Sequence, residues 1–128
     1  MRVLLDTHLL LWAATEPERL PVAAIRAIED PANQLLFSVS SLWEIGIKTN
    51  AGRDDFRVDP SVLRRNLLDN GYAELPIVGA HVIAVQALPP IHRDPFDRIL
   101  IAQAIVEGVT LLTSDRILSQ YPGPIQRV

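Results

Sequence analysis

The sequence predicts an α/β fold, a three-layer sandwich with a short, mainly parallel sheet. Two observations carry this. Short runs that are almost wholly apolar alternate with longer segments of helical period, and strands apolar on both faces belong to parallel sheets covered by helices on either side. Breakers punctuate the helical segments at Asp30-Pro31, Ala51-Gly52, Gly71 and Gly108. The 128 residues, 48% hydrophobic and 21% charged, are enough for one core. The expectation is one domain over residues 1–128, and a disordered tail is excluded.

Taken in order, Val3-Leu4-Leu5 is the first strand and ends at Asp6-Thr7; Leu9, Leu10 and Trp12-Ala13 follow at helical spacing. Leu20 to Glu29 reads as a helix with Val22, Ile25 and Ile28 or Ala24 on one face. Leu35 to Val39 is the second strand, and Ser40-Ser41 opens a helix through Leu42, Ile45 and Ile47 to about Asn50. Pro60 to Asn70 is a helix, Ala73 to Ile77 a weak strand and Ala80 to Leu88 a short helix. Past Pro89-Pro90, the segment Pro95 to Glu107 is a strongly apolar helix, with proline at its first position. Val109 to Leu112 is a strand, Asp115 to Gln120 a helical turn and Ile125 to Val128 a last strand.

Composition removes several function classes. No apolar run approaches the roughly 20 residues that span a bilayer, and Asp6 falls where a secretory leader would stay apolar. With no cysteine there is no disulfide frame, thiolate zinc site or Cys nucleophile. A cytoplasmic location and no membrane partner are expected. The net charge of −3, with Lys48 the only lysine, argues against general coating of nucleic acid. GxxxxGK[ST], GxGxxG and GxSxG are missing, and His8, His81 and His92 lack HExxH spacing. These histidines read as structural or solvated, with His8 singled out for its neighbour Asp6. Trp12 and Trp43 read as core or interface anchors.

The chemistry lies in four acids. Asp6 follows the first strand, and Asp115 follows Val109–Leu112 behind Thr113-Ser114. Glu44 and Asp97 are expected in the first turns of their helices. In a parallel sheet, strand C-termini and the next helix N-termini share one edge, where ligands bind. Taken singly, each acid reads more readily as a helix cap: Ser41-Leu42-Trp43-Glu44 fits a capping box with Glu44 at N3, and Asp94 suits N-cap before Pro95. Taken together, gathered carboxylates repel by about 4 kcal/mol per pair at ~4 Å and an effective dielectric of roughly 20. A hard divalent cation such as Mg²⁺ or Mn²⁺ resolves that conflict and lets an acidic protein hold a phosphodiester.

At these residues the chain resembles the PIN-domain ribonucleases, specifically the VapC-type toxins of type II toxin–antitoxin systems. The matching segments are Leu4-Leu5-Asp6-Thr7-His8 and Ser40-Ser41-Leu42-Trp43-Glu44-Ile45 with Lys48. His92-Arg93-Asp94-Pro95-Phe96-Asp97-Arg98 follows, running into Leu100 to Ala104, and Leu111-Leu112-Thr113-Ser114-Asp115 completes the set. The resemblance implies a PIN-like sandwich and an Mg²⁺- or Mn²⁺-dependent endoribonuclease restrained by a cognate antitoxin, usually as a homodimer. It makes Asp6 and Asp97 the primary metal ligands, with Glu44 and Asp115 completing the quartet directly or through water. Thr113 or Ser114 would orient a carboxylate. Lys48, Arg53, Arg93 and Arg98 are candidates for flanking phosphates, against the plain reading of solvated surface. The helices of Leu9–Ala13 and Leu42–Ile47 are candidate partner surfaces or ordinary core.

Rival readings fit less well. A phosphoacceptor receiver module wants an acid pair after the first strand and a lysine after the last, whereas Thr7 follows Asp6 and Lys48 is mid-chain. A haloacid-dehalogenase-like phosphatase wants a second Asp where His8 stands. A catalytically silent binding module that keeps its acids as caps is the third alternative.

Overall fold

A computed structural model describes residues 1–128. Five strands form one parallel sheet: β1 Arg2–Leu5, β2 Gln34–Ser38, β3 Ala73–Leu75, β4 Thr110–Thr113 and β5 Ile125–Arg127. Their order is β3-β2-β1-β4-β5. Six α-helices connect them: α1 Thr7–Thr15, α2 Val22–Glu29, α3 Val39–Asn50, α4 Pro60–Asp69, α5 Gly79–Val85 and α6 Pro95–Glu107. The expected sandwich is present, and its sheet is parallel throughout.

Side-chain alternation along the strands divides the interior in two. Val3, Leu5, Phe37 and Leu112 face a core shared with Leu9, Leu10, Ile45, Phe56, Leu63 and Leu67, which places α1 to α4 on that side. Leu4, Leu36, Leu75 and Leu111 face the other core, built with Leu100, Ile101 and Ala104 of α6 and with Tyr121. β1 is therefore wrapped on both faces, and Val3, Leu4 and Leu5 are fully buried. No helix is long and apolar enough to cross a membrane.

Several boundaries differ from expectation. α3 begins at Val39, because Ser38 at the end of β2 is its N-cap and accepts from the Ser40 N–H. Glu44 therefore lies in the second turn and does not complete a capping box from Ser41. β3 stops at Leu75 because Pro76 has no N–H to continue the ladder. α5 ends at Val85. Val22 is exposed, and Ala24 is the buried residue of α2. Leu9, Leu10 and Leu11 are core, which removes them from the candidate partner surface; Trp43 and Ile47 of α3 are exposed.

One polar tie crosses the molecule through the buried Ser38 and Gln103. The Ser38 hydroxyl donates to Gln103 Oε1 at 2.6 Å, and Gln103 Nε2 donates to the Pro76 carbonyl. It pins α6 to the ends of β2 and β3, next to the edge that carries the acids. Gln103→Leu keeps the volume but strands the buried partners, so it should cost about 1–3 kcal/mol. Urea unfolding should show a lower midpoint with an unchanged slope.

Candidate active site

Where β1 and β4 end side by side, successive connections leave the sheet in opposite directions, and that switch point opens a crevice. Asp6, the first residue past β1, is the N-cap of α1: its Oδ1 accepts the Leu9 N–H at 2.9 Å. Its Oδ2 accepts the Thr113 hydroxyl at 2.5 Å. The same Thr113 oxygen accepts the Asp115 backbone N–H at 3.0 Å, so one buried hydroxyl at the end of β4 joins two of the acids. Asp115 Oδ1 accepts from Ile117 N–H, leaving Oδ2 toward the crevice.

Opposite, α6 starts at Pro95 with Asp94 as N-cap, its Oδ1 accepting the Phe96 N–H. Asp97 stands one turn in on the same side. From α3, Glu44 reaches the crevice almost wholly buried, and Lys48 one turn on donates to its Oε2. Glu44 Oε1 is buried and has no hydrogen-bond partner. The resulting cleft of about 360 Å³ is lined by Asp6, Thr7, His8, Trp12, Glu44, Lys48, Asp94, Asp97, Ser114 and Asp115.

The electrostatics follow from that lining. Burial, first, and then the charges of Asp94, Glu44, Asp6 and Asp115 push the Asp97 carboxyl up to about 8. Burial also raises Asp6, with Thr113 and the Leu9 N–H pulling the other way. Five carboxylates, a lone lysine and an orphaned buried oxygen form a hard oxygen-donor set, and such a set fits a divalent cation of the Mg²⁺ type.

The four acids expected to meet, Asp6, Glu44, Asp97 and Asp115, thus line one cleft with Ser114 and Lys48, and Thr113 lies directly beneath. Arg98 is elsewhere. Its guanidinium donates to the carbonyls of Pro89 and Val85 and to the Tyr121 hydroxyl, so it is occupied as a clamp and is not free for a phosphate. Arg53 pairs with Asp55 away from the acids. Sequence reasoning passed over Asp94 as a cleft residue and set His92 aside. His92 Nε2 lies 3.3 Å from Asp97 Oδ2. The usable signal was its place just ahead of the Asp94-Pro95 helix start, in the same acidic edge.

A parallel sheet thus gathers acids from four chain segments at its C-terminal edge, and the similarity to known proteins gives the class of protein that carries them. The chain belongs to the PIN domain family, whose model matches residues 3–124. It is a nuclease, and at 32% identity over 124 residues it is similar to Ribonuclease VapC22 of Mycobacterium tuberculosis (strain ATCC 25618 / H37Rv), covering 95% of this chain and 93% of that one. Among solved structures, VapBC2 from Rickettsia felis bound to a promoter DNA fragment superposes with a TM-score of 0.76 at 16% identity, over 100% of this chain and 99% of that one. DNA-bound VapBC from Salmonella typhimurium gives a TM-score of 0.67 at 16% identity, over 99% and 98%. At that identity the likeness is one of fold.

The charge crowding has a thermal consequence. Asp97 holds its proton more tightly folded than unfolded, where it titrates near 3.8. Stability of the cation-free chain should therefore decline as pH rises from about 4 to about 8. In EDTA at about pH 8, Asp97→Asn should melt several degrees above wild type, a gain on the order of 2 kcal/mol. A midpoint equal to or below wild type would show that the carboxylates do not repel.

Proposed function

We propose that this chain, acting as one domain, is a divalent-cation-dependent endoribonuclease that hydrolyses RNA phosphodiester bonds as the toxin of a toxin–antitoxin pair. The observation that carries the reading is Glu44 Oε1, a buried carboxylate oxygen with no partner, on a residue that lines a cleft already crowded with acids. Asp6 and Asp97 would hold the ion, with Glu44 and Asp115 completing the set, and Mg²⁺ or Mn²⁺ suits these oxygens. Bound there, the ion would supply Lewis acidity and a nucleophile active near neutral pH.

The protein's own groups do the rest. Thr113 fixes Asp6 and Asp115 relative to each other. Lys48 holds Glu44 by Oε2, so that Oε1 keeps one orientation, toward the cation or toward the proton of the attacking water. The N-termini of α1 and α6 face the crevice and favour the anionic phosphate. Arg93, exposed beside Asp94, is placed for a flanking phosphate.

Support for partners is of two kinds. The solved relatives named above are VapBC assemblies, and this fold exposes apolar side chains. Trp43 of α3 is 64% exposed and Val82 of α5 51%, and both line an apolar groove of about 320 Å³ with Phe96. An exposed cluster of this kind suits association with protein. We assign a cognate antitoxin to the chain and place a homodimer contact at this groove. We assign the reaction to the cytoplasm.

Asp6→Asn and Asp97→Asn should each bring Mg²⁺-supported RNA cleavage below detection while leaving the circular-dichroism spectrum native. Full activity of either variant would remove that residue from the mechanism. Thr113→Val, which releases the Asp6 carboxylate and the Asp115 backbone N–H, should retain the fold and lose roughly 10–100-fold in cleavage rate, read as initial rate at saturating RNA.

A further inference from the structure

His92 lies between α5 and α6, and its ring is hydrogen-bonded at one nitrogen while the other faces two carboxylates. Nδ1 accepts the Asp94 backbone N–H at 3.0 Å, so that nitrogen presents its lone pair. The ring proton belongs on Nε2, which stands 3.3 Å from Asp97 Oδ2 and 3.9 Å from Asp115 Oδ2. The backbone beneath is equally constrained. Its N–H donates to the Tyr121 oxygen at 2.6 Å, and the Tyr121 hydroxyl donates back to the His92 carbonyl. Arg98 donates to the same phenol oxygen, so the hydroxyl's donor and both acceptor positions are used.

By distance alone His92, Asp97 and Asp115 suit a three-ligand metal site, since one ligand atom from each lies within 4.8 Å of the others. The hydrogen bonding says otherwise. A histidine that ligates through one ring nitrogen ordinarily donates N–H from the other. Here the other nitrogen accepts, and ligation through Nε2 would need lone pairs on both nitrogens or loss of the Asp94 contact.

We propose that His92 is a positioning residue of the cleft: its Nε2–H stands between the Asp97 and Asp115 carboxylates, nearer to Asp97, and it is not a ligand of the cation. This rests on the reading that those acids hold a divalent ion. The Asp94 N–H sets the tautomer, and Arg98 with Tyr121 sets the ring's position. An Nε2–H so placed puts the positive end of a dipole near two carboxylates that otherwise face like charge.

The test is a long-range ¹⁵N–¹H correlation of the imidazole rings of the full chain, with and without saturating Mg²⁺. His92→Gln identifies the His92 signals among the three histidines. A protonated Nε2 and bare Nδ1 are expected in both states. A protonated Nδ1 without metal, or loss of the Nε2 proton on adding Mg²⁺, would overturn the proposal. In parallel, Mn²⁺ affinity and RNA cleavage are measured for His92→Ala and His92→Gln. His92→Ala should lose about 10-fold in kcat with KM for RNA unchanged. His92→Gln, which can present an amide donor near the Nε2 position, should recover most of that loss. Equal, large losses of Mn²⁺ affinity in both variants would make His92 a ligand. If wild type itself binds no Mn²⁺, the nuclease reading fails, while the tautomer of the metal-free protein still decides the donor assignment.

Discussion

Like charge packed into a half-buried crevice is the constraint around which this molecule is arranged. Asp6, Glu44, Asp94, Asp97 and Asp115 share a single cleft, with Lys48 as the lysine among them. Each close pair costs free energy that falls only if something positive sits between them. The fold offsets part of that cost with the partial positive charge of the α1 and α6 N-termini, the Thr113 hydroxyl and the Lys48 ammonium. What remains shows in Asp97, whose carboxyl is driven to about 8, and in the unmet oxygen of Glu44. A protein selected only for stability would not leave both.

Capping and metal holding look like competing explanations for an acid at a helix start, but a carboxylate has two oxygens. Asp6, Asp94 and Asp115 each commit Oδ1 to a backbone N–H of the segment that follows. Asp6 Oδ2 then takes the Thr113 hydroxyl, and Asp115 Oδ2 looks across the cleft toward His92. The cap is what makes the second oxygen stationary, because a side chain pinned at one atom has lost most of its rotameric freedom. Glu44, with no cap to make, gets the same fixity from Lys48 one turn away.

The layered fold and the meeting of the four acids were legible because both follow from period and position. Apolar runs such as Val3-Leu4-Leu5 can be covered only from both sides, and the C-terminal edge of a parallel sheet collects whatever follows each strand. What was not legible depended on single hydrogen bonds. Ser38 rather than Ser41 starts α3, since its hydroxyl can serve the Ser40 N–H and Gln103 together, and nothing local in the sequence ranks one serine over its neighbours. The orientation of His92 is set by a backbone N–H two residues on and by Tyr121, a residue 29 positions away. The apolar face left open around Trp43 is likewise a product of tertiary packing, because Trp43 and the core residue Ile45 are both apolar and nearly adjacent in sequence.

Arg98 shows how closely the local and the long-range are joined. Along α6, Asp94 and Asp97 are three residues apart and so share the face that looks into the cleft. Arg98, one residue further, is turned roughly 100° about the axis. Its guanidinium is drawn away from the acids by the Tyr121 hydroxyl and by the carbonyls at the end of α5 and in the loop before α6. A cation beside Asp97 would have offset part of the crowding that drives its carboxyl up. Placed one step around the helix, the same charge instead secures the loop that carries His92, and the acids stay uncompensated. In the block Asp94-Pro95-Phe96-Asp97-Arg98, the acceptors that surround Arg98 decide which charges belong to the site and which hold it in place.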